Sequence, residues 1–203
     1  MCRGYRLLKM GLITAAFCMG HVAVSAAETP SEQVKKTVGR VIEILQEAGN
    51  NGDVRKVEKK QRVRQILLPR FDFAEMAKRS LGNHWRGQNG RQEEFVSVFT
   101  DFVENSYMGT LESYKGEKIV YLRERVDQNL AQVDTQIIPT KGEPIPVNYK
   151  LHLVGGDWKI YDVVIENISL VNNFRSQFNR ILTAAPFDEL LKKMRQKGPE
   201  KPI

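Results

Sequence analysis

Residues 145–165 read IPVNYKLHLVGGDWKIYDVVI. Apolar and polar side chains alternate on both sides of Gly155-Gly156-Asp157, the pattern of two strands joined by a tight turn. In Ile145 to Val154, residues Val147, Tyr149, Leu151 and Leu153 share one face, and Asn148, Lys150 and His152 share the other. One face is therefore covered and one is wet. The partner strand runs from Trp158 to Ile165. Upstream, Lys118 to Glu124 and Leu130 to Ile138 keep the same period of two, and Thr140-Lys141-Gly142-Glu143-Pro144 turns the chain into the third strand. A sheet of about four strands is expected, the last three antiparallel neighbours.

Helical spacing flanks this run. Thr29-Pro30-Ser31-Glu32 is a capping box with proline in the first helical position. Val34, Val38, Val41, Ile42 and Leu45 follow, and Gly49-Asn50-Asn51-Gly52 predicts the stop. A very basic helix is predicted from Asp53 to Leu68, ended by Pro69, and a third from the Asp72/Glu75 capping pair through Leu81, closed by Gly82. The fourth begins near Gly90 and ends at Lys115-Gly116, with Phe95, Val98, Phe99, Phe102, Val103, Met108 and Leu111 at intervals of three and four and Tyr107 beside them. After the strands, helices are predicted over Asn173 to Leu182 and Pro186 to Gln196, with Lys197 to Ile203 as a frayed end. Helices, then strands, then helices describe an α+β domain: a curved antiparallel sheet with helices packed on one face.

The first residues carry a different message. Arg3, Arg6 and Lys9 precede an apolar run from Met10 to Val24, and Ser25, Ala26 and Ala27 offer a peptidase site. This is the pattern of a cleavable export signal over residues 1–27, leaving residues 28–203 as a single domain. Both cysteines, Cys2 and Cys18, lie inside the signal. An exported, cysteine-free product excludes ATP-driven chemistry, thiol catalysis and cysteine metal sites. Its formal charge falls from +7 to +4 when the three signal cations are removed. Neither the compartment nor any basic–aromatic motif suits nucleic acid. Arg55, Lys56, Lys59, Lys60, Arg62 and Arg64 form the densest cationic run, either a solvated helix face or a surface that steers the protein toward anionic partners.

Catalytic motifs are missing. His84 and His152 are far apart with no carboxylate at ligand spacing, so neither a metal nor a metal-activated water is expected. There is no Gly-x-Ser-x-Gly elbow and no phosphate-cradling or dinucleotide loop. Asp162 or Asp134 beside His84 or His152 is the acid–base arrangement the residues leave open. What the chain has in excess is apolar face on both helices and sheet. Where two such faces do not close fully, they enclose an apolar cavity suited to apolar cargo.

Two blocks resemble the MlaC family of periplasmic phospholipid-binding proteins, also known as toluene-tolerance or ABC-transporter auxiliary proteins. The first is Ile66-Leu67-Leu68-Pro69-Arg70-Phe71-Asp72-Phe73 with Met76-Ala77 and Leu81-Gly82. The second is Trp158-Lys159-Ile160-Tyr161-Asp162-Val163 followed by Ser169-Leu170-Val171-Asn172-Asn173-Phe174-Arg175-Ser176-Gln177-Phe178. This chain has Asn167 where the family usually has glycine and Phe174 where it usually has tyrosine.

The resemblance implies a nuclear-transport-factor-like cone of sheet and helices with an apolar lipid cavity, the acyl tails inside and the headgroup in solvent. It implies a monomeric, non-enzymatic carrier in the periplasm, part of the Mla pathway that maintains outer-membrane lipid asymmetry. Phospholipid would be the cargo, with no cofactor. The partners implied are an outer-membrane lipoprotein–porin complex and an inner-membrane ABC transporter with its own lipid-binding substrate domain. Candidate lipid-binding residues are Phe73, Met76, Leu81, Phe95, Phe99, Phe102, Val103 and Tyr107 on the helices. Tyr149, Leu151, Leu153, Val164, Leu170, Val171 and Phe174 complete the set. A small exported enzyme on the same fold and a structural adaptor between envelope complexes are the competing readings.

Overall fold

A computed structural model describes residues 28–47 and 53–196. The expected export signal, the expected helix stop at Gly49–Gly52 and the expected frayed end at Lys197–Ile203 lie outside the described residues. The expected α+β architecture is what forms. Among the described residues there are six α-helices and five strands, four of the helices before the strands and two after them.

Helix α1 (Pro30–Gln46) begins at the predicted capping box. The Thr29 hydroxyl accepts from the Glu32 amide at 3.2 Å, and the Glu32 carboxylate accepts from the Thr29 amide at 2.9 Å, so two amides that the helix start leaves free are both satisfied. Val34, Thr37, Val41 and Ile44 are its buried row. Helix α2 (Asp53–Leu67) buries Val63 against Val41 and Ile44 of α1 and Met108 of the fourth helix, a satellite core separate from the main one. Asp72 caps α3 (Phe73–Leu81), accepting from the Glu75 amide at 2.9 Å. Gly82, at φ 55°, ends it, followed by a 3-10 turn over Gly82–Gln88 that the sequence pattern did not indicate. The aromatic-striped α4 spans Gln92–Glu112.

The sheet is a single antiparallel meander, β1 (Lys118–Asp127), β2 (Leu130–Ile138), β3 (Ile145–Val154), β4 (Asp157–Ile165) and β5 (Ile168–Ser169), in that spatial order. It has one strand more than expected, because the chain folds back through Glu166 and Asn167 to pair Val164 with Ser169 and Ile165 with Ile168. Asn167 sits at φ 68°, the left-handed conformation that asparagine tolerates better than other non-glycine residues. The turn therefore forms with asparagine in glycine's usual place. Helix α5 (Leu170–Ala184) starts directly from β5, and α6 (Phe187–Gln196) closes the chain.

Two register shifts bend the sheet. The β1–β2 pairing shifts between Tyr121 and Arg123, leaving Leu122 over, and the β3–β4 pairing shifts at Lys150/Leu151, leaving Tyr161 over. Such bulges raise twist and switch which residues face inward. The β4 edge also receives a short parallel bridge from Phe71. The Ile160 amide donates to the Arg70 carbonyl and the Asp72 amide donates to the Ile160 carbonyl, both at 2.8 Å. That bridge fixes α3 beside the sheet. The main core lies between the covered face of the sheet and helices α1, α3, α4, α5 and α6.

Candidate functional site

Register places Ala131, Val133 and Thr135 of β2, Val147, Tyr149 and Leu151 of β3, and Trp158, Ile160, Val163 and Ile165 of β4 on the covered face. Tyr121 of β1 joins them opposite Thr135. This surface is not covered uniformly. Where β2 begins and β3 ends, Val133, Leu151 and Ile160 are buried beneath the helices. Within the same core, Phe95, Phe99 and Phe102 of α4 and Phe174 and Phe178 of α5 pack ring on ring, with Phe99–Phe174 and Phe102–Phe174 edge-to-face at 5.6 Å between centroids. Edge-to-face pairs add to the gain from area alone. Met76, Leu81, Phe95, Phe99 and Phe174 keep 0–1% of their surface, and Phe102 keeps 2%. Their surfaces are taken up by protein neighbours. Phe73, the first residue of α3, is half-buried and stacks on Phe71 at 5.7 Å.

The opposite end of the same face is only half covered. Tyr121, Ile137, Ile145, Tyr149 and Ile165 pack against the core yet retain accessible surface, as does Tyr107 on α4. Val103, one turn before Tyr107, and Leu170 and Val171 at the start of α5 are nearly buried. The result is a half-covered apolar surface whose polar groups include the phenols of Tyr107, Tyr121 and Tyr149. Tyr149 shows its character best. Desolvation lifts its hydroxyl well above the ordinary phenol range, and the neighbouring Tyr121 lifts it further, yet part of the residue stays reachable. Burial raises the Tyr107 and Tyr121 hydroxyls as well. Among the described residues none hydrogen-bonds these three hydroxyls, whereas the buried Thr135 hydroxyl donates to the Val147 carbonyl at 2.6 Å.

Two predicted residues fall elsewhere. Val164 pairs with Asn148 and stands on the outer face. The bulge at Tyr161 reverses the alternation of β4, so Trp158 and Ile160 face inward before it and Val163 and Ile165 after it. Strict alternation read from the sequence does not see that reversal. Leu153 is on the covered face but near the strand end, 36% exposed. Tyr121, Ile137, Ile145 and Ile165, on the half-covered part of the same face, are not among the residues expected from the sequence. The signal for Tyr121, Ile137 and Ile145 is present, since each lies on the apolar parity of its own strand, whereas Ile165 turns inward only because of the bulge at Tyr161; which end of the sheet stays uncovered is decided by helix packing.

The acid–base candidates are engaged separately. Asp162, 4% exposed, accepts from the Val171 amide at 3.1 Å and the Ser169 hydroxyl at 2.7 Å, with the Lys150 ammonium at 3.4 Å. Asp134 holds Arg123 and Arg125 on the outer face. His84 meets Asn179 at 3.0 Å. His152 meets Asp72 at 3.0 Å and lies edge-on to Tyr161. Among the described residues no group of three or more His, Cys, Asp or Glu side chains is placed to hold a metal ion, and no helix is long and apolar enough to cross a membrane.

Comparison with known proteins agrees with this architecture. A family model described as "MlaC protein" matches residues 35–196. The chain is 29% identical over 140 residues to the intermembrane phospholipid transport system binding protein MlaC of Haemophilus influenzae, covering 66% of this chain and 65%, just under two thirds, of that protein. It is 26% identical over 180 residues to the toluene tolerance protein ttg2D of Pseudomonas putida, covering 85% of this chain and 81% of the relative. Among solved structures, the phospholipid-binding protein of Ralstonia solanacearum, in complex with a phospholipid, superposes with a TM-score of 0.70 at 22% identity. That match spans 81% of this chain and 93% of the other, and it establishes the shared fold.

Proposed function

Given that the chain belongs to the MlaC family, we propose that it is a periplasmic phospholipid carrier. It shuttles lipid as a monomer between an outer-membrane lipoprotein–porin complex and an inner-membrane ABC transporter that has its own lipid-binding substrate domain. It binds and releases its cargo without changing it. The observation that carries this reading is the half-covered concave face, where Tyr121, Ile137, Ile145, Tyr149 and Ile165 of the sheet pack against the core yet keep accessible surface, as Tyr107 of α4 does. The acyl tails lie in this recess, bordered by Val103, Leu170 and Val171, and the phenylalanine cluster forms its packed wall. The headgroup stays at the open end.

The energetics fit a carrier. Each methylene withdrawn from a bilayer into water costs about 0.8 kcal/mol, so a two-tailed lipid of about thirty methylenes cannot cross water unshielded. Transfer from bilayer to an apolar recess is close to neutral, which permits both loading and unloading. Direction then comes from the transporter, not from this chain.

The test is the content of the purified protein. Residues 28–203, prepared under gentle conditions, extracted with organic solvent and analysed by mass spectrometry, are expected to yield diacyl phospholipid well above a control protein. An extract at the control's level would overturn the reading.

A further inference from the structure

The recess contains polar groups that packing does not explain. Tyr121 on β1 and Tyr149 on β3 rise from the same concave face on either side of β2, where Thr135 and Val133 stand opposite them. Thr135 has spent its hydroxyl on the Val147 carbonyl. The two phenols bond neither each other nor any described residue. A hydroxyl left without a partner in a recess filled by hydrocarbon bears its full desolvation cost, so an occupant that fits this surface brings acceptors to that depth.

The charge distribution narrows what those acceptors are. Register puts Lys118, Arg123, Arg125, Lys150 and Lys159 on the outer face of the sheet. The inner face of β1 to β4 carries one charged side chain, Glu124, which accepts from the Ser31 amide. An anionic phosphate would find no sheet cation here. A neutral carbonyl oxygen needs none, and a phenol supplies the donor it requires.

We propose that Tyr121 and Tyr149 donate hydrogen bonds to the ester carbonyl oxygens of the bound phospholipid and so hold its glycerol backbone against the inner face of β1 to β3. This rests on the carrier reading above. It gives the site a chemical preference: lipids are recognised through their ester linkages as well as their tail volume, largely independent of headgroup.

The test compares wild type, Tyr121→Phe, Tyr149→Phe and the double variant against a diester phosphatidylglycerol and its diether analogue of equal chain length. Affinity is read by displacement of a fluorescent lipid. Each single substitution is expected to weaken the diester by roughly 2- to 10-fold, the range of one net hydrogen bond, and to leave the diether unchanged. Equal losses for both lipids would overturn the ester assignment and point to the phosphate, and no loss for either would overturn any role for the phenols. Wild type that binds neither lipid would overturn the carrier reading itself. The empty variants should unfold at no lower denaturant concentration than wild type, because no protein partner is lost. A clear drop would make these hydroxyls structural and sink the proposal.

Discussion

Asp162 ties β4 to the first turn of α5: its Oδ1 accepts the Val171 amide at 3.1 Å while the carboxylate is 4% exposed. The other oxygen takes the Ser169 hydroxyl at 2.7 Å and faces the Lys150 ammonium at 3.4 Å. A buried carboxylate at a helix start uses amides that the helix leaves unbonded and meets the positive end of its dipole. Leu170 and Val171, both nearly buried, are thereby set in place.

Asp162→Ala is accordingly expected to destabilise the domain by about 3–5 kcal/mol, the usual result of removing one member of a buried charged network. Lys150→Ala should cost much less, since the carboxylate keeps its amide and hydroxyl. Denaturant unfolding of both variants checks the order. Equal losses would show that the ammonium, not the helix start, is what Asp162 serves.

The two ends of the concave face should respond in opposite ways to added bulk. Leu151 is 1% exposed, so Leu151→Trp forces a ring into filled space, at a cost of about 1–3 kcal/mol or more. Ile145 is half-buried at the open end, and Ile145→Trp should leave the melting temperature nearly unchanged while lowering bound lipid. Melting temperature and lipid per protein, measured together, decide it. Ile145→Trp that loses stability and keeps its lipid would place that residue in core.

Much of this architecture is legible in the sequence itself. The capping box at Thr29 and Glu32, the Asp72 cap, the Gly82 stop and the bounds of β2 and β3 all follow from local rules, and each is realised. The features missed are set by tertiary contact. Nothing in Arg70-Phe71-Asp72 announces a bridge to Ile160. The extra residue at Tyr161 inverts the parity of β4 and moves Val164 outside. Fully packed and half-covered apolar residues look alike in a sequence, which is why Phe99 and Tyr149 were grouped as one kind of site residue. They differ only in what the neighbouring helices leave open.

The cationic run on α2 is less free than its composition implied. Lys59 donates to the Glu47 carbonyl at 2.7 Å, Arg62 forks onto the Glu47 carboxylate, Lys60 donates to Asn105 at 3.0 Å, and Arg64 meets Glu104 at 2.8 Å. These bonds pin α2 to the end of α1 and to α4. Replacing Lys59, Lys60 and Arg62 with glutamate sets like charges against Glu47 and should lower the melting temperature by a few degrees. The loss should shrink at high salt, where exposed charges are screened. Lys56→Glu, on an exposed part of the same helix, should leave it unchanged. A triple variant as stable as wild type would return these residues to the role of a free docking surface.

Alkaline pH offers an independent probe of the recess. Burial holds the Tyr107, Tyr121 and Tyr149 hydroxyls above their ordinary value, Tyr149 most strongly. The unfolded chain releases these protons near pH 10, about the ordinary phenol value, while the folded protein keeps them. Above that pH the unfolded state binds fewer protons, so stability falls as pH rises. The stability is present in full below about pH 10 and is lost as the pH climbs toward the folded values. Tyr149→Phe removes the largest of these contributions, so its unfolding midpoint should decline less steeply than that of wild type above about pH 10. Phenolate absorbance should show one late-titrating tyrosine in wild type that the variant lacks. Parallel declines, with no late tyrosine in the difference, would mean that Tyr149 is freely solvated and that the recess is not enclosed at its phenol-lined floor.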